Sequence, residues 1–487
     1  MLNLSVKSAG AYSKSDSGLL TKYQHWLVSG ENPLVFALRY LFADPADSLQ
    51  KLDYLRGDGY LQTAYKVFNP ETGAYDKSRR DVEPIGELDD YLQREAYEVF
   101  LDYPKSDADI PHLAEAMETV SRIKALCEEK GTRLLVICQP NYVDYLAYYS
   151  RDEQAAFFNA LAQVTDYWDF TLTPVSYDPR YFYDSTHYRN AVGEMMLARI
   201  FGDDEMYVPE NFGRYVPQGS VPGAPTCEAE AEEAYTVHVP FLRYHHIVDG
   251  APENEDIISL DRFREQMQAL YEAGYTPVGI DDLRDYVERG TELPEKPVMI
   301  TFDDGYKSNY TLAFPILKQY GFKATIFVIG VSIGKDTYKD TGVAMYPHFS
   351  LEQAKEMSDS GLITIASHGY NVHEVEGRDP DPIRPGALIR EGETEEEYVA
   401  FLTEDALHMR ELIGEGAGFF SYPTDRHDER CLVILSRAGV YATVSGDAQY
   451  ATLIKGLPQS LYDMPRNFVS EKVSGADLIA MLEAPSE

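Results

Sequence analysis

Two short stretches of the 487-residue sequence carry side chains suited to hydrolytic chemistry. Residues 297–305 read PVMITFDDG, an apolar run ending in adjacent carboxylates, Asp303 and Asp304, and then Gly305. Residues 362–373 read LITIASHGYNVH, a second apolar run ending at His368, with His373 five residues on. Two imidazoles and a carboxylate suit a Zn²⁺-type cation that keeps a coordination position open for water. The second carboxylate suits the base that takes a proton from that water. Neighbouring strand residues face opposite ways, so both carboxylates can address one site only if the chain turns there, and Gly305 permits the turn. Either motif alone fits an ordinary turn or a surface histidine pair. Together, each closing an apolar run, they point to one site.

The surrounding elements place both motifs at strand ends. From residue 236 the chain alternates apolar runs with amphipathic ones. YTVHVPFLRYHHI, KPVMITFDD, KATIFVIG, LITIASH, GFFSYP and VYATVSG read as strands. SLDRFREQMQALYEAG, with Ser259 as N-cap and Gly274 as stop, SLEQAKEMSDSG and EYVAFLTEDALHMRELIGEG read as helices. Near-continuous apolar strands between helices imply parallel strands buried on both faces. At this number of units a (β/α) barrel is expected, with its site at the C-terminal strand ends. Residues 374–397, rich in Pro and charge, read as a long loop at the site mouth.

Length predicts two domains. Helices over 112–127, 151–164 and 190–201, with an apolar strand in TRLLVICQP, suggest an α/β layer domain spanning 1–202. Residues 203–235, rich in Pro, Gly and acidic side chains, read as a linker before a second domain over 236–487. A net charge of −37 argues against nucleic acid, which requires clustered Lys and Arg. No apolar stretch is long enough to span a membrane, and the first residues do not read as a signal peptide. Cys127, Cys138, Cys227 and Cys431 are scattered and suggest neither a thiolate metal site nor a disulfide framework.

The second half, about residues 236–475, resembles the polysaccharide deacetylases of the NodB-homology type, carbohydrate esterase family 4. TFDDG matches that family's first motif. SHGYNVH resembles its histidine motif, with the five-residue spacing of the poly-N-acetylglucosamine deacetylase branch, and VPFLRYHHI and DMPRNFV resemble the same branch. The resemblance implies a distorted NodB-type barrel with Asp304, His368 and His373 as metal ligands and Asp303 as general base. It implies Zn²⁺, or Co²⁺ or Ni²⁺ on the same ligands. The reaction implied is hydrolysis of an N-acetyl group on a hexosamine-containing surface polysaccharide, which places the protein outside the cell. Cleavage of O-acetyl esters, or a barrel retained only for carbohydrate binding, are the alternatives. Two features depart from the family. The third motif, FFSYPTDRHDE, keeps Tyr422 and Pro423 as substrate-binding positions but lacks the preceding arginine, and Arg466 in MPRNF is the candidate replacement. No late histidine motif follows residue 445, so the proton donor is sought among Asp303, His245 and His246; His245 is also a candidate for substrate binding.

In the first half, YFYDSTHYRN places Asp184 and His187 just before a helix. The block resembles the last motif of SGNH/GDSL-type, DltD-like esterases and acyltransferases, and LNLSVKSAGAYS resembles their second. The resemblance implies an incomplete SGNH-like α/β layer domain whose nucleophile strand would lie upstream of Met1. Ser5 and Ser8 are not in a strand-Gly-x-Ser turn. A serine-reactive fluorophosphonate is therefore expected to leave residues 1–202 unlabelled, and stoichiometric labelling would contradict this.

Overall fold

The computed structural model of the chain describes residues 1–9, 67–68, 75–76, 81–93, 100, 110–339, 341–446 and 450–484. In the first half, β1 (Leu2–Leu4), β2 (Val136–Cys138) and β3 (Tyr167–Asp169) pair in parallel, and β4 (Arg214–Val216) adds an antiparallel edge. Helices α1 (Leu113–Glu129) and α2 (Arg151–Val164) cover this sheet through Met117, Val120, Phe157, Phe158 and Leu161. Ser150 starts α2 with a capping box closed by Glu153. α3 (Asn190–Phe201) ends at Gly202 in the left-handed region. Residues 203–235, read from composition as a linker, contribute β4 to this sheet and hydrogen-bond Tyr207 N–H to the Glu288 carbonyl of the second half. Tyr181 donates to the Lys455 carbonyl, and Phe182, Met195, Ile454 and Leu457 share one apolar cluster, so the two halves pack directly.

The second half is built on β5 (Phe241–Tyr244), β6 (Pro297–Phe302), β7 (Ala324–Val328), β8 (Ile363–Ser367), β9 (Phe419–Ser421), β10 (Ala442–Ser445), β11 (Met464–Pro465) and β12 (Asn467–Phe468). The hydrogen-bonded order is β11-β10-β9-β8-β7-β6-β5-β12, with every pair parallel. The two outermost strands, β11 and β12, are separated in sequence by one residue, Arg466. The sheet is therefore a nearly closed barrel with Arg466 at its seam. Ser259 caps α4 (Leu260–Glu272), accepting from Arg262 N–H, and α5 (Glu395–Ile413) follows the long loop, capped by Thr394.

Strand periodicity decides what faces inward. Val298, Ile300 and Phe302 pack outward against Phe263, Met267 and Leu317, whereas Met299 packs with Phe327, Ala366 and Phe419 in the barrel interior. By the same period of two, Thr301 and Asp303 continue the inward column of β6 and His368 continues that of β8. Burial of both faces explains the near-continuous apolar strands.

Candidate functional site

The inward columns converge at the C-terminal strand ends. Arg466, fully buried, donates from Nη1 to Asp303 Oδ1 at 2.7 Å and from Nη2 to Asp303 Oδ2 at 2.8 Å. This is a bidentate, charge-assisted pair. Arg466 also donates to Ser421 Oγ at 2.9 Å, and Ser421 Oγ lies 3.4 Å from Asp303 Oδ1. Burial alone would raise the Asp303 carboxyl, but the charge of Arg466, supported by His368 and His245, holds it well below the usual carboxylate range. Asp303 is thus an ionised carboxylate fixed at the barrel seam. The cation beside Asp303 thus comes from the far end of the chain and not from ahead of FFSYP.

Asp304 continues past the strand end with φ +72°, and Gly305 follows at φ +81°. The turn thus begins at Asp304 itself, one of the few non-glycine residue types that visit this region readily. It swings the second carboxylate, which strand parity would turn outward, to the same side as the first. One ligand atom each from Asp304, His368 and His373 lies within 4.8 Å of the others. His368 Nδ1 is 2.8 Å from the Ser421 carbonyl, which fixes the Nδ1–H tautomer and leaves the Nε2 lone pair free for a cation, 3.6 Å from Asp304 Oδ1. Burial pushes the His373 imidazole down, favouring the neutral form that coordinates metals, while Asp304, raised by burial, is brought lower overall by His373, His368 and His245. A mixed imidazole and carboxylate set with a tautomer-locked histidine is the donor chemistry of a divalent cation site.

His245 Nε2 lies 4.0 Å from Asp303 Oδ2, and the side chain is 19% exposed, so it reaches both base and solvent. His246 is different. Its Nδ1 is 2.8 Å from Ser308 Oγ, and its ring packs on Tyr306 and Tyr346. Burial, then the neighbouring His348, pushes it down to about 4. Tyr422 and Pro423 are not brought to the metal-ligand cluster. Tyr422 has the outward parity of β9, buried with Phe420 against Tyr398 and Leu402, and Pro423 lines a separate depression with Arg384 and Thr424. The inward residue of that motif is Ser421.

Beside the three candidate ligands opens a cavity of about 520 Å³. Asp304 and His373 lie on its wall with Tyr306, Tyr338, Tyr346 and His348. Sequence reasoning missed Tyr306 and His348, which an isolated bridge between the turn after Asp304 and residues 347–349 brings together. The long loop after His373 is tied down rather than loose: Arg384, buried, pairs with Glu393 at 2.5 Å, and Arg390 pairs with Glu374.

In the first half, His187 Nδ1 lies 2.8 Å from Asp184 Oδ2, and the His187 side chain is 70% exposed. Burial would raise the Asp184 carboxyl, but His187 and the Thr186 N–H bring it down to about 2. The pair anticipated from the sequence is formed, but among the described residues no serine hydroxyl hydrogen-bonds to His187. Ser5 and Ser8 bond one another in a turn after β1. The expected SGNH-like domain has no other support here, since residues 10–66 lie outside the described residues. No described helix is long and apolar enough to cross a membrane.

Comparison with known proteins follows the same division. The polysaccharide deacetylase family model matches residues 290–443. "Putative polysaccharide deacetylase YxkH" of Bacillus subtilis (strain 168) is 31% identical over 246 residues, covering 50% of this chain and 76% of that protein. The poly-beta-1,6-N-acetyl-D-glucosamine N-deacetylase of Escherichia coli (strain K12) is 34% identical over 140 residues, 27% of this chain but 20% of that one. The enzyme of the same name from Staphylococcus epidermidis is 30% identical over 146 residues, 27% of this chain and 48% of that one. Among solved structures, IcaB from Ammonifex degensii aligns with a TM-score of 0.42 and 26% identity, over 51% of this chain and 97% of that one. Residues 290–443 span β6 to β10, including the carboxylate pair and both histidines, and the chain belongs to the polysaccharide deacetylase family of hydrolases.

Proposed function

We propose that the barrel removes N-acetyl groups from a hexosamine-containing surface polysaccharide, with Asp304, His368 and His373 holding a divalent cation and Asp303 acting as the base. The observation that carries this reading is the convergence of those three donors beside a carboxylate kept ionised by Arg466. The N-deacetylase names of the E. coli and S. epidermidis relatives support an N-acetylglucosamine polymer as the substrate class. An extracellular or cell-surface site of action follows from that class. Zn²⁺ suits two imidazoles and one carboxylate, and Co²⁺ and Ni²⁺ suit the same set.

When bound, such a cation supplies Lewis-acid polarisation of water and of the amide carbonyl. Asp303 then accepts the proton released as water adds to the carbonyl carbon. Arg466 and Ser421 hold the carboxylate so that it meets the water without rotating. The amide nitrogen must be protonated before the C–N bond breaks and acetate departs. His245 reaches the site from just beyond β5 and is the better donor, because His246, pushed down to about 4 by burial, is an uncharged imidazole at neutral pH whose Nδ1 is engaged with Ser308. The tyrosines of the adjoining cavity offer faces on which sugar rings stack.

The test is acetate release from N-acetylglucosamine oligomers by protein stripped with chelator and reloaded. Activity is expected to vanish on stripping, to return with Zn²⁺ or Co²⁺, and to be absent in His368→Ala with either metal. Calorimetric metal binding without acetate release from any oligomer would reject N-deacetylation and leave O-ester cleavage or binding alone.

A further inference from the structure

Helix α5 buries Tyr398, Leu402, Ala406 and Met409 along one stripe, and Asp405 lies inside it. Its carboxylate is 4% exposed and forms no ion pair among the described residues. A buried carboxylate without a cation must be satisfied by hydrogen bonds. It is satisfied by main chain: Tyr370 N–H donates to Oδ2 at 2.7 Å and Asn371 N–H to Oδ1 at 2.6 Å. Both residues lie between His368 and His373. Consecutive amides around one anion form a nest. The other side of the turn is held by β7's continuation, where Gly330 N–H donates to the Gly369 carbonyl at 3.0 Å and Val331 N–H to the Tyr370 carbonyl at 2.9 Å. At Gly369, φ is +81° and a Cβ would lie 2.1 Å from Val372 Cγ1 and 3.1 Å from Asp405 Oδ2, so the turn has one compact shape.

We propose that Asp405 is a positioning residue for the cation site: its carboxylate fixes the turn 369–372 and so sets His373 against His368 and Asp304. The inference rests on the metal reading above. It also accounts for the spacing of five, since the residues between the histidines are those that wrap the carboxylate. Without it the Tyr370 and Asn371 amides lose their acceptor together.

Zn²⁺ affinity by competition with a chromophoric chelator, and the visible absorption of the Co²⁺ form, would be measured on the full chain for wild type, Asp405→Ala and Asp405→Asn. Asp405→Asn keeps the shape but turns an amide NH₂ toward N–H donors, and it guards against failure of the alanine variant to fold. The dissociation constant is expected to rise about 10–100-fold, the range for groups that orient metal ligands, with a changed Co²⁺ band and native circular dichroism. A lower thermal midpoint with an unchanged dissociation constant and spectrum in Asp405→Asn would mean that Asp405 only stabilises the fold, and the inference fails. A wild type that binds none of these metals would overturn the metal reading, and this inference with it.

Discussion

Asp303→Asn is expected to lower the acetate release rate by about 10²–10⁴, the usual contribution of a positioned base, with metal affinity within a few-fold of wild type. The separation follows from the geometry. Asp304, His368 and His373 form the donor cluster, and Asp303 is engaged by Arg466 instead. The asparagine keeps the side chain's shape and removes its basicity. The same pairing fixes the pH behaviour. Because the Asp303 carboxyl sits well below the usual carboxylate range, it is ionised from pH 4 upward. The acidic fall in kcat/KM should therefore come from protonation of histidines, not of the base. Steady-state rates on an N-acetylglucosamine oligomer between pH 4 and 9, with metal saturating, check both points. A variant retaining more than about a tenth of the wild-type rate, where a positioned base should cost at least 10², would remove Asp303 from the proton transfer.

The convergence of the candidate site was largely legible because it is local. The paired carboxylates and the two histidines each close an apolar run, and a parallel strand places its last residue at the site. Spacing and periodicity alone did not reach what depends on closure of the sheet. Arg466 was named only through the resemblance of its MPRNF block; by position it precedes a dipeptide strand and reads as loop, and the meeting of β11 and β12 around it turns its side chain into the interior. Tyr422 and Pro423 were reached from motif letters alone. The motif letters matched the family, but strand parity turns Tyr422 out and Ser421 in. Period-two counting back from Phe419, an interior residue, would have selected Ser421. Asp405 was hidden for a third reason. It interrupts the buried stripe of an amphipathic helix, and its partners are backbone amides, which leave no signature in side-chain spacing. In the first half the Asp184–His187 pair was legible from the short D-x-x-H separation, whereas a nucleophile to complete it is not found among the described residues.

Arg466→Met should have the largest effect on stability. Arg466 is fully buried and Asp303 nearly so, and the guanidinium also serves Ser421 and Thr301. Removing one member of a buried pair leaves the other charged and desolvated, at a cost of about 3–5 kcal/mol. In the wild type the folded-state pKa of Asp303 is depressed. Its contribution to stability is therefore present above the unfolded value, about 3.9, and is lost as pH falls toward the folded one. Without Arg466 the burial that opposes ionisation becomes dominant, and the folded pKa rises above the unfolded value. The folded state then binds the extra proton, and stability falls as pH rises through that window. Wild type should thus gain stability between pH 3 and 5, and Arg466→Met should lose it. The double variant Arg466→Met with Asp303→Asn, which leaves no unpaired charge, should recover part of the loss. Urea unfolding followed by tryptophan-independent circular dichroism at several pH values reads all three. A single variant within about 1 kcal/mol of wild type at pH 7, against the 3–5 kcal/mol expected for a broken buried pair, would mean that water reaches Asp303 at the barrel mouth and that the seam is held by backbone pairing alone.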